Sequence, residues 1–119
     1  MITAAMLSLI QQCGEGALVL TDGLEEADLL RSRLTRNATR QQLRTLADTL
    51  ANLSERARQA IPEIDWAGWR AVRNTLDTPG PAQDEALWFA VRSLVPATLS
   101  WLRIYRTNSP ELFDWSEPV

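Results

Sequence analysis

The sequence predicts an all-α fold, an antiparallel up-and-down helical bundle of four main helices and one short one. Three observations carry this. Apolar residues recur at intervals near 3.6 almost throughout, and no segment alternates as a strand would. Helix breakers at Pro62 and at Pro79-Gly80-Pro81 cut the pattern into helix-length pieces. The chain has 119 residues, 45% of them hydrophobic, which suits one domain with one core.

The first helix is expected over residues 3–20, with Ile2, Met6, Leu7, Ile10, Cys13, Ala17 and Leu18 as its apolar stripe. Gly14 and Gly16 weaken it near its end. A short second helix follows, with Asp22 as N-cap and Glu25 closing a capping box. The third helix is expected to start at Thr35 or Asn37 and to run to Pro62. Leu43, Leu46, Leu50, Leu53, Ala57 and Ala60 give it a seam of alternating threes and fours, suited to shallow packing on another helix. The fourth starts after Asp65, carries Trp66, Trp69, Val72 and Leu76 on one side, and stops at Pro79. The fifth runs from Gln83 or Asp84 towards Tyr105, with Leu87, Val91, Leu94, Val95, Leu99 and Leu102 inward. Pro96 lies inside it and is expected to bend it or free one carbonyl. Residues 1–106 thus form the bundle, and 107–119 an acidic tail holding Leu112, Phe113 and Trp115. The tail is expected to dock on a bundle rather than extend the last helix.

Composition narrows the chemistry. Fifteen acids against 12 bases leave a formal charge of −3, which argues against a protein built overall to bind polyanions. Arg31, Arg33, Arg36, Arg40 and Arg44 form a basic run with no acid among them. It reads as a solvated helix face, or as a local anion surface without interleaved aromatics for base stacking. There is no histidine, so no imidazole serves as base, acid or metal ligand. With a single cysteine, Cys13, no zinc site and no internal disulfide are expected. No cofactor is implied. No signal peptide or membrane span is read in the N-terminal stretch, and a reducing cytoplasm fits.

The segments TLADTLANLSERARQAIPEIDWAGWRAVRN and DEALWFAVRSLVPATLSWL carry a resemblance. Pro62 to Trp66 precede a helix that ends in Arg73-Asn74-x-Leu76; Trp88 and Leu94-Val95-Pro96 follow on the next. From about Gly23 to Leu102 the chain resembles the HepT-like family of the larger HEPN group. The resemblance implies a small dimeric all-helical ribonuclease toxin, paired with a minimal nucleotidyltransferase as antitoxin. It also places Asp48 where that family usually carries a glutamate.

The family's motif is Arg, four residues, His, one residue, Tyr. Cleaving RNA through its 2′-hydroxyl needs proton transfer, which histidine supplies near neutral pH. It also needs positive charge on the phosphate, which the arginine fork supplies. Counting from Arg73, the histidine position holds Thr78 and the tyrosine position Gly80. Asp77 is the one nearby group that could stand in as base, and an ordinary aspartate pKa of about 3.9 makes it a poor one. The motif at Arg73, Asn74, Asp77, Thr78 and Gly80 therefore reads as degenerate, with Arg73, Asn74 and Arg70 left as candidates to contact an RNA phosphate. On spacing alone Arg73 and Asn74 would simply finish a helix.

Three readings stand. The chain is a catalytically degenerate HepT-like protein that dimerises and binds a protein or RNA. Alternatively it is a ribonuclease with a substituted mechanism, or an unrelated helical protein of assembly or regulation. The lost histidine leans the choice away from an enzyme.

Overall fold

The computed structural model describes residues 2–114. Two short strands, β1 (Ile2–Thr3) and β2 (Phe113–Asp114), pair in parallel, Ile2 beside Phe113. Between them run α1 (Ala4–Thr21), α2 (Glu26–Arg31), α3 (Arg33–Ala51), α4 (Glu55–Ala60), α5 (Trp66–Thr75), α6 (Pro81–Phe89) and α7 (Val95–Asn108). The all-α bundle expected from periodicity is the architecture found, elongated at 44 × 27 × 24 Å.

Helix α1 starts where Thr3 Oγ1 accepts from the Met6 N–H at 3.1 Å. It runs unbroken through both glycines. A Cβ on Gly14 would lie 3.0 Å from a Leu99 methyl, so the missing side chain is what lets α1 approach α7. The Thr21 hydroxyl donates to the Ala17 carbonyl, and Gly23 then turns the chain at φ 72°. That turn consumes Asp22, which closes α1 instead of opening α2. The start of α2 moves to Glu25, whose N–H donates to the Asp28 carboxylate at 3.1 Å.

Helix α3 begins earlier than Thr35, because Ser32 Oγ accepts from the Thr35 N–H. It also ends earlier. The expected single helix to Pro62 breaks at Asn52, and Ser54 caps a new helix by accepting from the Ala57 N–H at 3.1 Å. The seam survives the break: Leu43, Leu46, Leu50, Leu53 and Ala57 are all buried.

Asp65 caps α5 as the sequence suggests, accepting from the Gly68 N–H at 2.8 Å. The helix stops at Thr75, short of Pro79. The Gln83 side-chain amide takes up the Leu76 carbonyl left free there, at 2.7 Å. Gly80, at φ 144°, turns the chain and Pro81 opens α6. Between α6 and α7 the helix continues through one widened turn, Ala90–Leu94, in which the Val95 N–H reaches back five residues to Ala90. Pro96 follows at once. Its ring would press on a carbonyl four residues back, and the widened turn re-spaces those carbonyls.

The core gathers inward residues from every helix. Trp69 is buried in it and donates its indole N–H to Thr98 Oγ1 of α7 at 2.9 Å. Trp66 and Trp88 are half-buried at its margin. After α7 a single tight turn, Pro110–Leu112, leads into β2 and buries Phe113. The strand pair is too short to leave a period in the sequence. Trp115 and the rest of the tail's expected docking lie outside the described residues.

Candidate functional site

Helix period sets the site. Trp66, Trp69, Arg70, Arg73 and Asn74 fall at i, i+3, i+4, i+7 and i+8 along α5, so they share one stripe. The stripe borders a cleft of about 360 Å³. Ala47, Leu50 and Ala51 of α3 form its apolar floor, and Arg58 reaches in from α4. Arg70, Arg73 and Asn74, the residues read from the sequence as phosphate contacts, thus line one space.

The other half of the motif goes elsewhere. Thr78 is exposed in the turn after α5, and its N–H reaches the Thr75 carbonyl at 3.4 Å. Gly80 is the turn residue before α6. Asp77 is ion-paired with Arg44. None of these three lines the cleft.

The cations differ in how they are held. Arg73 Nε donates to Asp48 Oδ1 of α3 at 2.7 Å. The second oxygen of Asp48 lies 3.4 Å from Arg44 Nε, an ion pair without hydrogen-bond geometry. Arg73, Asp48, Arg44 and Asp77 therefore form an alternating chain from α5 through α3 to the following turn. Arg58 donates to Glu55 one helical turn back at 2.6 Å. That hydrogen bond and the charge of Arg58 hold the Glu55 carboxyl below its usual range, with a smaller pull from Arg70. Among the described residues, Arg70 has no carboxylate within ion-pair distance.

The basic run Arg31–Arg44 does not make this cleft. Arg31 pairs with Asp28 at 3.0 Å, Arg36 lies 4.0 Å from Asp84, and Arg44 is held as described. Three of the five arginines of the run thus face acids.

Sequence reasoning missed Arg58. Its position depends on the break at Asn52, and only the serine of Asn-Leu-Ser signals that a new helix starts there.

The two tryptophans at the cleft have their polar atoms committed. Trp66 Nε1 donates to the Ile61 carbonyl at 3.1 Å, and Trp69 Nε1 to Thr98. Trp69 is buried, so the aromatic surface open to the cleft is that of the half-buried Trp66. The site can therefore hold a ligand with a negative group at the arginines and an apolar part against Trp66. Its lining holds three arginines and no histidine, cysteine or carboxylate. No helix among the described residues is long and apolar enough to cross a membrane. No family model and no solved structure matches this chain.

Proposed function

We propose that this chain is a catalytically degenerate HepT-like protein that binds RNA through the arginine cleft and does not cleave it. One observation carries the reading. The helical half of the motif, Arg73 and Asn74, lines the cleft with Arg70 and Arg58, while Thr78 and Gly80 stand outside it. The arginine fork can grip a phosphate there. No histidine, cysteine or carboxylate lines the cleft to move the proton that strand cleavage requires. The substituted ribonuclease is the weaker reading, because Asp77 is tied to Arg44 away from the cleft.

The test uses the full chain and a fluorescent single-stranded RNA. Binding is expected by anisotropy at low salt, weakening as salt rises, and lost in an Arg70→Ala, Arg73→Ala double variant. The RNA should be intact on a gel afterwards. Cleavage that disappears in Arg73→Ala, with helicity unchanged, would establish the ribonuclease reading instead. No binding at low salt removes the RNA reading.

The resemblance also suggests a homodimer. A groove between α5 and α6, lined by Ala71, Val72, Ala86 and Phe89, is the surface we assign to the second copy. Among the described residues, Phe89 is the one aromatic of the exposed large hydrophobic side chains, at 45%. Light scattering at tens of micromolar should give a dimer, and Phe89→Glu a monomer; a monomeric wild type ends the assignment. A minimal nucleotidyltransferase partner, if present, would act by contact, since Gly80 offers no hydroxyl to modify.

A further inference from the structure

We infer that the outward side of the α1–α3 pair is a second self-association face, weaker than the α5–α6 groove, on which the same two helices of another copy pack. The face shares no residue with the arginine cleft or with that groove.

Spacing is the first observation. On α1, Ala5, Leu9, Gln12, Gly16 and Val19 recur at intervals of four, three, four and three. On α3, Leu34, Ala38, Gln41 and Thr45 recur at four, three and four. That alternation is a seam for a helix crossing at a shallow angle. It is not the seam that builds the core. Leu9, Val19 and Leu34 are exposed, Val19 by 76% and Leu34 by 82%. Each helix thus has two seams, one turned inward and one left open. A Cβ on Gly16 would lie 3.1 Å from the Gln42 side chain, so the close approach of the helices sets the open seams side by side.

Charge is the second. The five charged residues of α3, Arg33, Arg36, Arg40, Arg44 and Asp48, follow at threes and fours and keep to the arc toward α5 and α6. The arc of the open seam carries none. Helix α1 has a single charged residue, Glu15, and it lies off the seam. A face that meets only water is free to carry charge, as the other arc of α3 does. The centres of protein interfaces are depleted of it. Gln42, beside α1, and Ala47, beside α5, are about 140° apart round α3. The open face and the cleft therefore look in different directions.

The same absence of charge selects the occupant. A foreign partner is steered and held in register by complementary charge, and this face offers none. A copy of a chain of net charge −3 meets itself best where a two-fold axis sets no like charges against each other. Its own α1 and α3 bring the matching seams, and the contact closes as a layer of four helices.

Area sets the strength. Helices of 18 and 19 residues give a face about 28 Å long and, side by side, about 20 Å wide. That footprint, about 550 Å², falls below the roughly 800 Å² per partner of a standard interface. The contact is therefore weak, with a Kd on the order of hundreds of micromolar. It forms above the concentrations at which the α5–α6 groove is tested.

Sedimentation velocity of the full chain and of Phe89→Glu, from about 10 micromolar to about 1 millimolar, reads this directly. Phe89→Glu should pass from monomer to dimer as concentration rises, and the unaltered chain from dimer to tetramer. Val19→Glu combined with Leu34→Glu, two exposed changes that leave the core alone, should weaken that step at least about tenfold. Helicity and melting temperature should stay as they were. Val19→Ile with Leu34→Met should keep the step. In Phe89→Glu, the amide shifts that move with concentration should be those of Leu9, Gln12, Gln41 and Thr45.

A Phe89→Glu chain that stays monomeric throughout overturns the inference. So does association that ignores the two glutamates, or shifts confined to other helices. A wild type that is monomeric at tens of micromolar yet dimerises higher up through Val19 and Leu34 removes the α5–α6 assignment and leaves this face standing.

Discussion

The Arg73 guanidinium donates to the Asp48 carboxylate at 2.7 Å, tying α5 to α3 through a residue that lines the cleft. Only Nε is engaged, so an incoming phosphate can use the other guanidinium N–H groups, but the negative charge of Asp48 opposes its approach. The pair is part-exposed, so its worth to the fold is small, within about 1 kcal/mol.

Asp48→Asn is therefore expected to change stability little and to tighten binding of single-stranded RNA at low salt. Anisotropy titration and a urea melt report the two quantities separately. Weaker binding in Asp48→Asn would instead mean that the carboxylate aims Arg73 at the ligand.

Leu50 is buried on the seam and also floors the cleft. Leu50→Ala should cost about 2–5 kcal/mol of unfolding free energy, read by chemical denaturation. Leu50→Asp should leave no cooperative transition.

Stability should be flat across neutral pH, because no histidine is present to titrate there. On the acid side, Glu55 is held below its ordinary value of 4.5 by Arg58, so its contribution is present above that pH and fades as pH falls through the lowered value. On the alkaline side, burial raises the Cys13 thiol above 9.0, and a hydrogen bond to Glu63 raises the Tyr105 hydroxyl above 10.0. Both favour the protonated form in the fold. Their contributions are present below those values and fade as pH rises through the raised ones. Thermal melts should show a plateau that falls off below pH 4.5 and above pH 9; a step near pH 6.5 would contradict this.

Phe113 is buried and its strand lies against Ile2, which has no exposed surface. Phe113→Ala should cost up to about 3–5 kcal/mol, and deleting residues from 110 onward should lower the melting temperature. A truncated chain that melts like the full one would show that β1 stands without β2.

What the sequence made legible follows from locality. The 3.6 period placed Arg70, Arg73 and Asn74 on one stripe of α5, and Asp65 announced its cap. Capping choices among near-equal residues were harder. Ser32 won over Thr35 and Asn37, and Glu25 over Asp22, because neighbouring turns decided which residue was free to cap. The break before α4 was masked by a seam that carries on across it through Leu53 and Ala57. The link from Arg73 to Asp48 spans two helices, and no local rule predicts which aspartate an arginine will meet.

The pairing of Ile2 with Phe113 sets residues far apart in the chain side by side, a strand's spacing of about 4.8 Å from each other. Because the two strands run parallel, a linker from Asp114 to Ile2 must double back along the pair. With such a flexible linker, and with the exposed turn between Asp77 and Gly80 opened instead, the chain would become a circular permutant. It would keep every helix and every cleft residue, and it would turn the most non-local contact of the fold into a local one.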